Sequence, residues 1–489
     1  MSRPFHQLPE DRYASLQDSS PFLKVHMHNG NMYVLQAWEM DAARQYVVGQ
    51  GALLNANRDT LRQEQFQIGI DSVAMFETNV IKTSHTVTAL TIFTGITAAV
   101  TAYCIANPKA CFGSCPTFYV SDGDSLQLRA EGFSASIAPS LEATDIDALY
   151  HASVTGDELE VEMRNEALET HVVRSVDLLA LPRTRGSRVF ADSDGLFWEC
   201  TSLLPPDAAS APEGDCLTLL LCADGNERYS LTDSTYLGAK EFIEMEFTDI
   251  PHEPCGLVIG CRQTLLSTYL LYQAFAYMGG DAGYWFARIE RENMAQRHYP
   301  ILGILGGIEI LIQDPAGDWR VVGQIDEYGP LASDVHLVQL GRLAEESAKV
   351  RLRITKGNWR IDYAALAALS RPVRPTRLQP YRVIKDGLAD EQAFAILCDS
   401  TQALTSLPGD VYTLRYRIPG DPGDYELFLQ SRGYYLEWIR KEWIEEENRF
   451  LLAEIFYNPE AALKRLAPEF KRVEGEMEEH FWRSRYGMQ

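Results

Sequence analysis

Basic residues are in short supply. The chain carries 44 Lys and Arg against 68 Asp and Glu, a formal charge of −24. Such a field repels a phosphate backbone, and no dense Lys/Arg run offsets it, which argues against nucleic acid as a partner. Anionic membrane surfaces are disfavoured for the same reason. The motifs that present a nucleophile or cradle a phosphate are also missing: the sequence has no GxSxG, GxxxxGKS or GxGxxG. A hydrolase elbow, a P-loop and a dinucleotide fold therefore lack their anchors, and no cofactor is expected. No two cysteines have CxxC or CxxCH spacing, which leaves a zinc ribbon, a thioredoxin-type pair and covalent haem without support. The start, MSRPFHQLPEDRY, shows no apolar signal-peptide core. There is no repeat of fixed period.

What the chain does have is length and strand pattern. Its 489 residues exceed one ordinary core, and 46 % hydrophobic with 23 % charged residues is globular composition. Short runs such as FLKVHM, MYVLQAW and QYVVGQGALLN alternate around turns, HNGN among them. Later runs include TFYVS, SLQLRAEGF, DCLTLLLC, KEFIEMEFTDI and GLVIGC, with PPDAASAPEGD (205–215) as a loop. TLLSTYLLYQAFAYM (264–278) breaks the period and predicts a buried helix. The pattern is mainly β. It predicts a small SH3-like barrel over 1–82, an apolar helix over 83–108 and a β domain over 109–230. A β-sandwich with an inserted helix follows over 231–375, then a β segment packing on it over 376–432 and a helical tail over 433–489. In that tail Asn458-Pro459 supplies a cap and first-turn proline. Phe470, Val473, Met477 and Phe481 share one helical face.

Nine cysteines are present, six of them in spaced pairs: Cys111/Cys115, Cys216/Cys222 and Cys255/Cys261. An i, i+6 pair on a strand points both sulfurs to one face, so two such strands side by side could be cross-linked. Buried free thiols are the alternative. Disulfides would imply an oxidising compartment. From Thr86 to Pro108 there is no charge, a stretch long enough to span a bilayer. Val87, Leu90, Ile92, Phe93, Ile96, Val100 and Tyr103 give it apolar surface, and threonines from Thr88 to Thr101 form a stripe suited to packing. A membrane-embedded helix over 86–105 is the leading expectation, and a buried helix the other.

Several constellations have bland readings that outweigh the chemical ones. Asp192-Ser193-Asp194-Gly195 begins like a calcium loop, but Leu196 and Leu203 fill ligand positions, so a hairpin turn is expected. His26 and His28 share a strand face without a third ligand nearby. Glu166, Glu169 and His171 lack HExxH spacing and read as a loop entering a strand. Tyr434, Tyr435, Trp438 and Trp443 suit core packing, with a partner-binding face as the alternative.

Two stretches carry a resemblance. CFGSCPTFYVSDGDSLQLRAEGFSASIAPSLEATDIDAL, followed by NEALETHVV, resembles a family of uncharacterised bacterial envelope proteins, often lipoproteins. That family has SCP-x-x-Y/F-x-x-D/G, AE-x-F and NE-x-x-E patterns after an apolar segment. No lipoprotein signal precedes the match here. The run from GIEILIQDPAGDWRVV to YELFLQSRGYYLEW is similar to the β-sandwich region of uncharacterised bacterial proteins with tetratricopeptide repeats. Neither family supplies an activity. The resemblance implies a location and an architecture. Together with the missing catalytic motifs, the strands, the paired cysteines and the apolar segment, it leads to the expectation of a non-catalytic interaction protein held at the envelope membrane by residues 86–105, its bulk facing the periplasm or exterior, docked on other proteins of a membrane complex. A carbohydrate-binding or carbohydrate-active sandwich around Gly306–Tyr363 is the second reading, and it requires Trp319, Trp359 or Tyr363 exposed together on one face. A cytosolic protein with nine reduced thiols is the third.

Overall fold

The computed structural model describes residues 23–27, 31–41, 46–54, 60–69, 73–77, 115–123, 125–167, 169–286, 300–326, 329–343, 347–437, 443 and 446–486. They are mainly β. At the N-terminal end, strands Leu23–Met27, Met32–Asp41, Tyr46–Leu54, Thr60–Gly69 and Val73–Glu77 form one antiparallel sheet. The last of them returns to pair with the first. Leu23, Val25, Leu35, Trp38, Val47 and Phe66 make a small core of their own. The strands match the sequence pattern; the structure shows them as a five-stranded sheet. The segment 86–105, with Val87 to Tyr103, lies outside the described residues, as do His28, Cys111 and Trp438. No helix among the described residues is long and apolar enough to cross a membrane.

Distant segments interleave in the next two sheets. Strand Glu169–Pro182 is buried from Glu169 to Leu181 and pairs along its length with Tyr425–Glu437. Strand Glu158–Arg164 lies between Thr117–Asp122 and Val411–Arg417. The 376–432 segment thus pairs with strands from 109–230, where packing on 231–375 was expected. The helical tail also starts later than expected, because Tyr425–Glu437 remains a strand through Gly433 and Tyr434. Gly433 is needed there: a Cβ would sit 2.3 Å from the Val172 carbonyl oxygen.

The middle of the chain forms a closed barrel and a six-stranded sheet. The barrel uses Arg188–Asp192, Phe197–Leu204, Trp359–Val373, Cys255–Gln263 and Asp334–Gly341. The sheet is built on Lys240–Thr248 and Ser347–Thr355, flanked by the hairpin Ile308–Gln313/Trp319–Ile325. Asp314 closes that hairpin, its Oδ1 accepting from the Ala316 and Asp318 amides. Lys240–Thr248 alternates buried and exposed residues, and Ile243, Met245 and Phe247 join Leu257, Ile259 and Leu366 in a shared core. The expected strand DCLTLLLC is instead the short strand end Gly214–Asp215 followed by a 3-10 turn over Leu217–Leu219. The expected loop before it contains a short strand, Ala208–Ala211.

Helices cap one side. Leu266–Met278 is buried as predicted, with Tyr269, Tyr272 and Phe275 against Trp443 and Phe470. Asn448 caps Arg449–Tyr457, accepting from the Phe450 and Leu451 amides. Pro459–Tyr486 starts on the expected proline and buries Phe470 and Met477, with Val473 packed beside them.

Candidate functional site

Cys115, Cys216, Cys222, Cys255 and Cys261 are free thiols in the structure. The two cysteine-bearing strands that could be cross-linked do not lie side by side, since Cys216 and Cys222 flank a turn. Cys255 faces Gly341 and Ala368, and Cys261 faces Asp334 and Ile361. Asp192 closes the hairpin turn expected of it: its Oδ1 accepts from the Asp194 and Leu196 amides, and its Oδ2 from Trp198 and Gln339. Trp359 is 1 % exposed and Trp319 lies under the Arg351 guanidinium, so with Tyr363 they form no exposed cluster. Tyr434, Tyr435 and Trp443 are buried, in line with core packing.

The three quoted patterns meet at one buried knot. Cys115 follows the apolar segment closely and sits at φ 82°, a left-handed conformation costly for a non-glycine residue. Its thiol donates to Glu131 Oε1 at 3.0 Å, and its amide donates to Glu169 Oε1. Glu131 Oε2 accepts from the Leu331 and Ala332 amides at 2.6 and 3.1 Å, pinning the loop that enters the barrel. Thr117 and Tyr119 donate to Glu166 Oε2. Asn165 bridges the Glu169 and Ser406 carbonyls. Beside Glu131 lie Asp145 and Asp147, on one face of strand Ala143–Ala148, and Asp334. Burial pushes Glu131, Asp145 and Asp334 up to about 7, and Asp334 adds to the rise at Asp145. Asp147 is raised well above the carboxylate range by burial and by these same neighbours. His336, 3.3 Å from Asp334, and His171, 2.7 Å from Glu169, are held neutral, since burial lowers each to about 3. Burial and the adjacent Glu131 and Glu169 push the Cys115 thiol up, so it is not a ready nucleophile. The knot therefore joins distant elements through buried hydrogen bonds. Among the described residues, no group of three or more His, Cys, Asp or Glu side chains could hold a metal ion.

A cleft of about 590 Å³ opens where the 212–234 segment meets the C-terminal helix. Arg228, 1 % exposed, grips Glu213 through two bonds of 2.8 and 2.9 Å and Glu241 through one of 2.7 Å. Burial would raise Glu213, but the Arg228 hydrogen bonds outweigh it and keep its carboxyl low. Ser230 Oγ donates to Glu241 Oε1, while Glu241 Oε2 and Thr232 Oγ1 receive no partner among the described residues. Tyr229 and Leu231 stand exposed at the cleft, and Arg360 lies 3.7 Å from the Tyr229 ring centre. Lys356 and Lys471 complete the lining. Glu241 keeps the burial alternation of Lys240–Thr248 but is an acid on its apolar face, in register with Ile243, Met245 and Phe247. That was the signal in the sequence, and it went unread among 68 acids.

No protein-family model matches the chain, and no curated protein matches it. Among solved structures, the GH31 alpha-xylosidase of Xanthomonas citri aligns over 86 % of this chain and 37 % of its own, at 8 % identity and a TM-score of 0.15. The chain thus spans little more than a third of that enzyme, and a likeness this slight carries no argument.

Proposed function

We propose that the chain is a non-catalytic interaction protein of the bacterial envelope, an accessory subunit docked on other proteins of a membrane complex. The observation that carries this reading is the aromatic face of helix Arg449–Tyr457. Phe450 and Tyr457, seven residues apart and so on one side of the helix, are 89 % and 88 % exposed. Nearby, Trp285 stacks on Phe456, and Tyr284 is half-exposed beside it. Covering one such ring is worth about 1.5–3 kcal/mol, and clustered aromatics dominate protein interfaces. The envelope placement rests on the quoted patterns and on the apolar segment 86–105. The knot at Cys115 supports it mechanically, because a chain leaving a bilayer there would be tied at once into the β core. The bulk then faces the periplasm or exterior.

A photo-crosslinking residue at position 457, introduced in the native host, tests the reading. It should yield one discrete adduct, while the same probe at Leu388, 75 % exposed on another element, yields none. Equal adduct patterns at both positions would refute the docking face.

A further inference from the structure

The cleft at Tyr229 has no part in the docking face, and its chemistry selects a ligand of its own. Its charged lining is mixed, with Glu213, Asp233 and Glu241 against Lys356 and Lys471. An anion would meet three carboxylates and a cation two ammonium groups, so a neutral ligand with many donors and acceptors fits best. The floor is prearranged, because one buried guanidinium fixes both Glu213 and Glu241. Such fixed acceptors take hydroxyl donors without reorganising. Glu241 Oε2 and Thr232 Oγ1, on side chains 4 % and 3 % exposed, lack hydrogen-bond partners among the described residues. A buried polar atom left in that state is costly, and a ligand hydroxyl relieves the cost. Tyr229 adds an exposed ring, 42 % open and steadied by Arg360, against which an apolar C–H face can lie.

We infer that this cleft binds a neutral polyhydroxylated ring, the chemistry of a sugar residue, whether from an envelope glycan or a free oligosaccharide. Ring hydroxyls donate to the Glu213 and Glu241 carboxylates and accept from Lys356 and Lys471. The ring's C–H face packs on Tyr229. The volume of about 590 Å³ holds a short oligosaccharide segment. No bond is made or broken, and the site is one of recognition.

Isothermal titration of the full-length protein with neutral gluco-, xylo-, manno- and N-acetylglucosamine oligosaccharides tests this, with inorganic phosphate and citrate as anionic probes. At least one neutral oligosaccharide should bind at one site per chain. Tyr229→Ala should weaken it by about tenfold or more, as truncating a central aromatic contact does. Tyr229→Phe should retain binding, and Lys356→Ala should weaken it with an unchanged thermal midpoint. Purified envelope glycan competing for the same site would assign the source to the envelope, and its failure to compete would assign it to free oligosaccharide. The inference is overturned if no neutral oligosaccharide binds, if Tyr229→Ala and Lys356→Ala bind as wild type does, or if only the anions bind. Crosslinking at position 457 is independent of all these outcomes, so either reading can fail alone.

Discussion

Replacing Glu131 by Gln changes how stability depends on pH, because the native fold holds a proton there that the unfolded chain releases. Burial raises this carboxyl from 4.5 to about 7, although Cys115, Ala332 and Leu331 donate to it and pull the other way. A carboxyl raised in the fold favours the fold at acid pH, and that advantage is lost as pH climbs from the unfolded to the folded value. For a shift from 4.5 to about 7, integrating the linkage between pH 5 and pH 8 gives a loss of about 2.5 kcal/mol. Removing the charge also relieves Asp147, which Glu131 helps to raise, so the second effect has the same sign. His171 and His336 act oppositely. Both are lowered to about 3 by burial, so they cost stability as pH falls below the usual histidine range. They are common to both proteins and cancel in the difference. The introduced amide keeps an oxygen for the Leu331 and Ala332 backbone N–H groups, so Glu131→Gln should fold. Urea unfolding of both proteins at pH 5, 6, 7 and 8 should show the variant gaining about 2.5 kcal/mol on wild type across the series. Parallel curves would refute a proton held at Glu131.

Arg360→Ala should destabilise the helical cap by about 3–5 kcal/mol, since Glu478 would stay buried without that guanidinium while Glu227 keeps Arg262; limited proteolysis should then release the C-terminal helix. Gly433→Ala should cost about 1–3 kcal/mol by pushing strand Tyr425–Glu437 off Val172, read as a lower thermal midpoint. Alkylation of native protein should label exposed Cys222 first and Cys115, Cys255 and Cys261 only on unfolding, and a Cys216–Cys222 or Cys255–Cys261 bond would contradict the structure. Deleting Val87–Ile105 should move the protein from carbonate-resistant membranes to the soluble fraction.

Much of the local structure was legible. The alternation of KEFIEMEFT, the turn at Asp192 and the helix over 264–278 follow from periodicity and turn chemistry, and all three are present. Long-range pairing was not legible. Strands at 158–182 meet partners at 411–437, and nothing in either run encodes that distance. DCLTLLLC reads as a strand by composition, yet Cys216–Leu219 turns because the preceding hairpin and the bridge from Leu221 to Tyr363 fix both ends. Tyr434 and Tyr435 looked like the start of a helix because strand and helix patterns agree over so short a run. The knot was half visible. Its residues were quoted as patterns at Cys115, Glu131, Glu166 and Glu169, but their convergence needed the fold. The cleft depends on Arg228, Tyr229 and Glu241, whose types are ordinary and whose meeting is tertiary.

The docking claim is tested most directly by isolating the tagged full-length protein from detergent-solubilised native membranes and measuring the mass of the intact assembly. An assembly larger than the chain is expected, with a partner at fixed stoichiometry. That partner should be lost when Phe450 and Tyr457 are both changed to Asp, and the thermal midpoint should be unchanged, because both side chains are almost fully exposed. A free monomer from wild-type membranes, or the same assembly from the double variant, would contradict it.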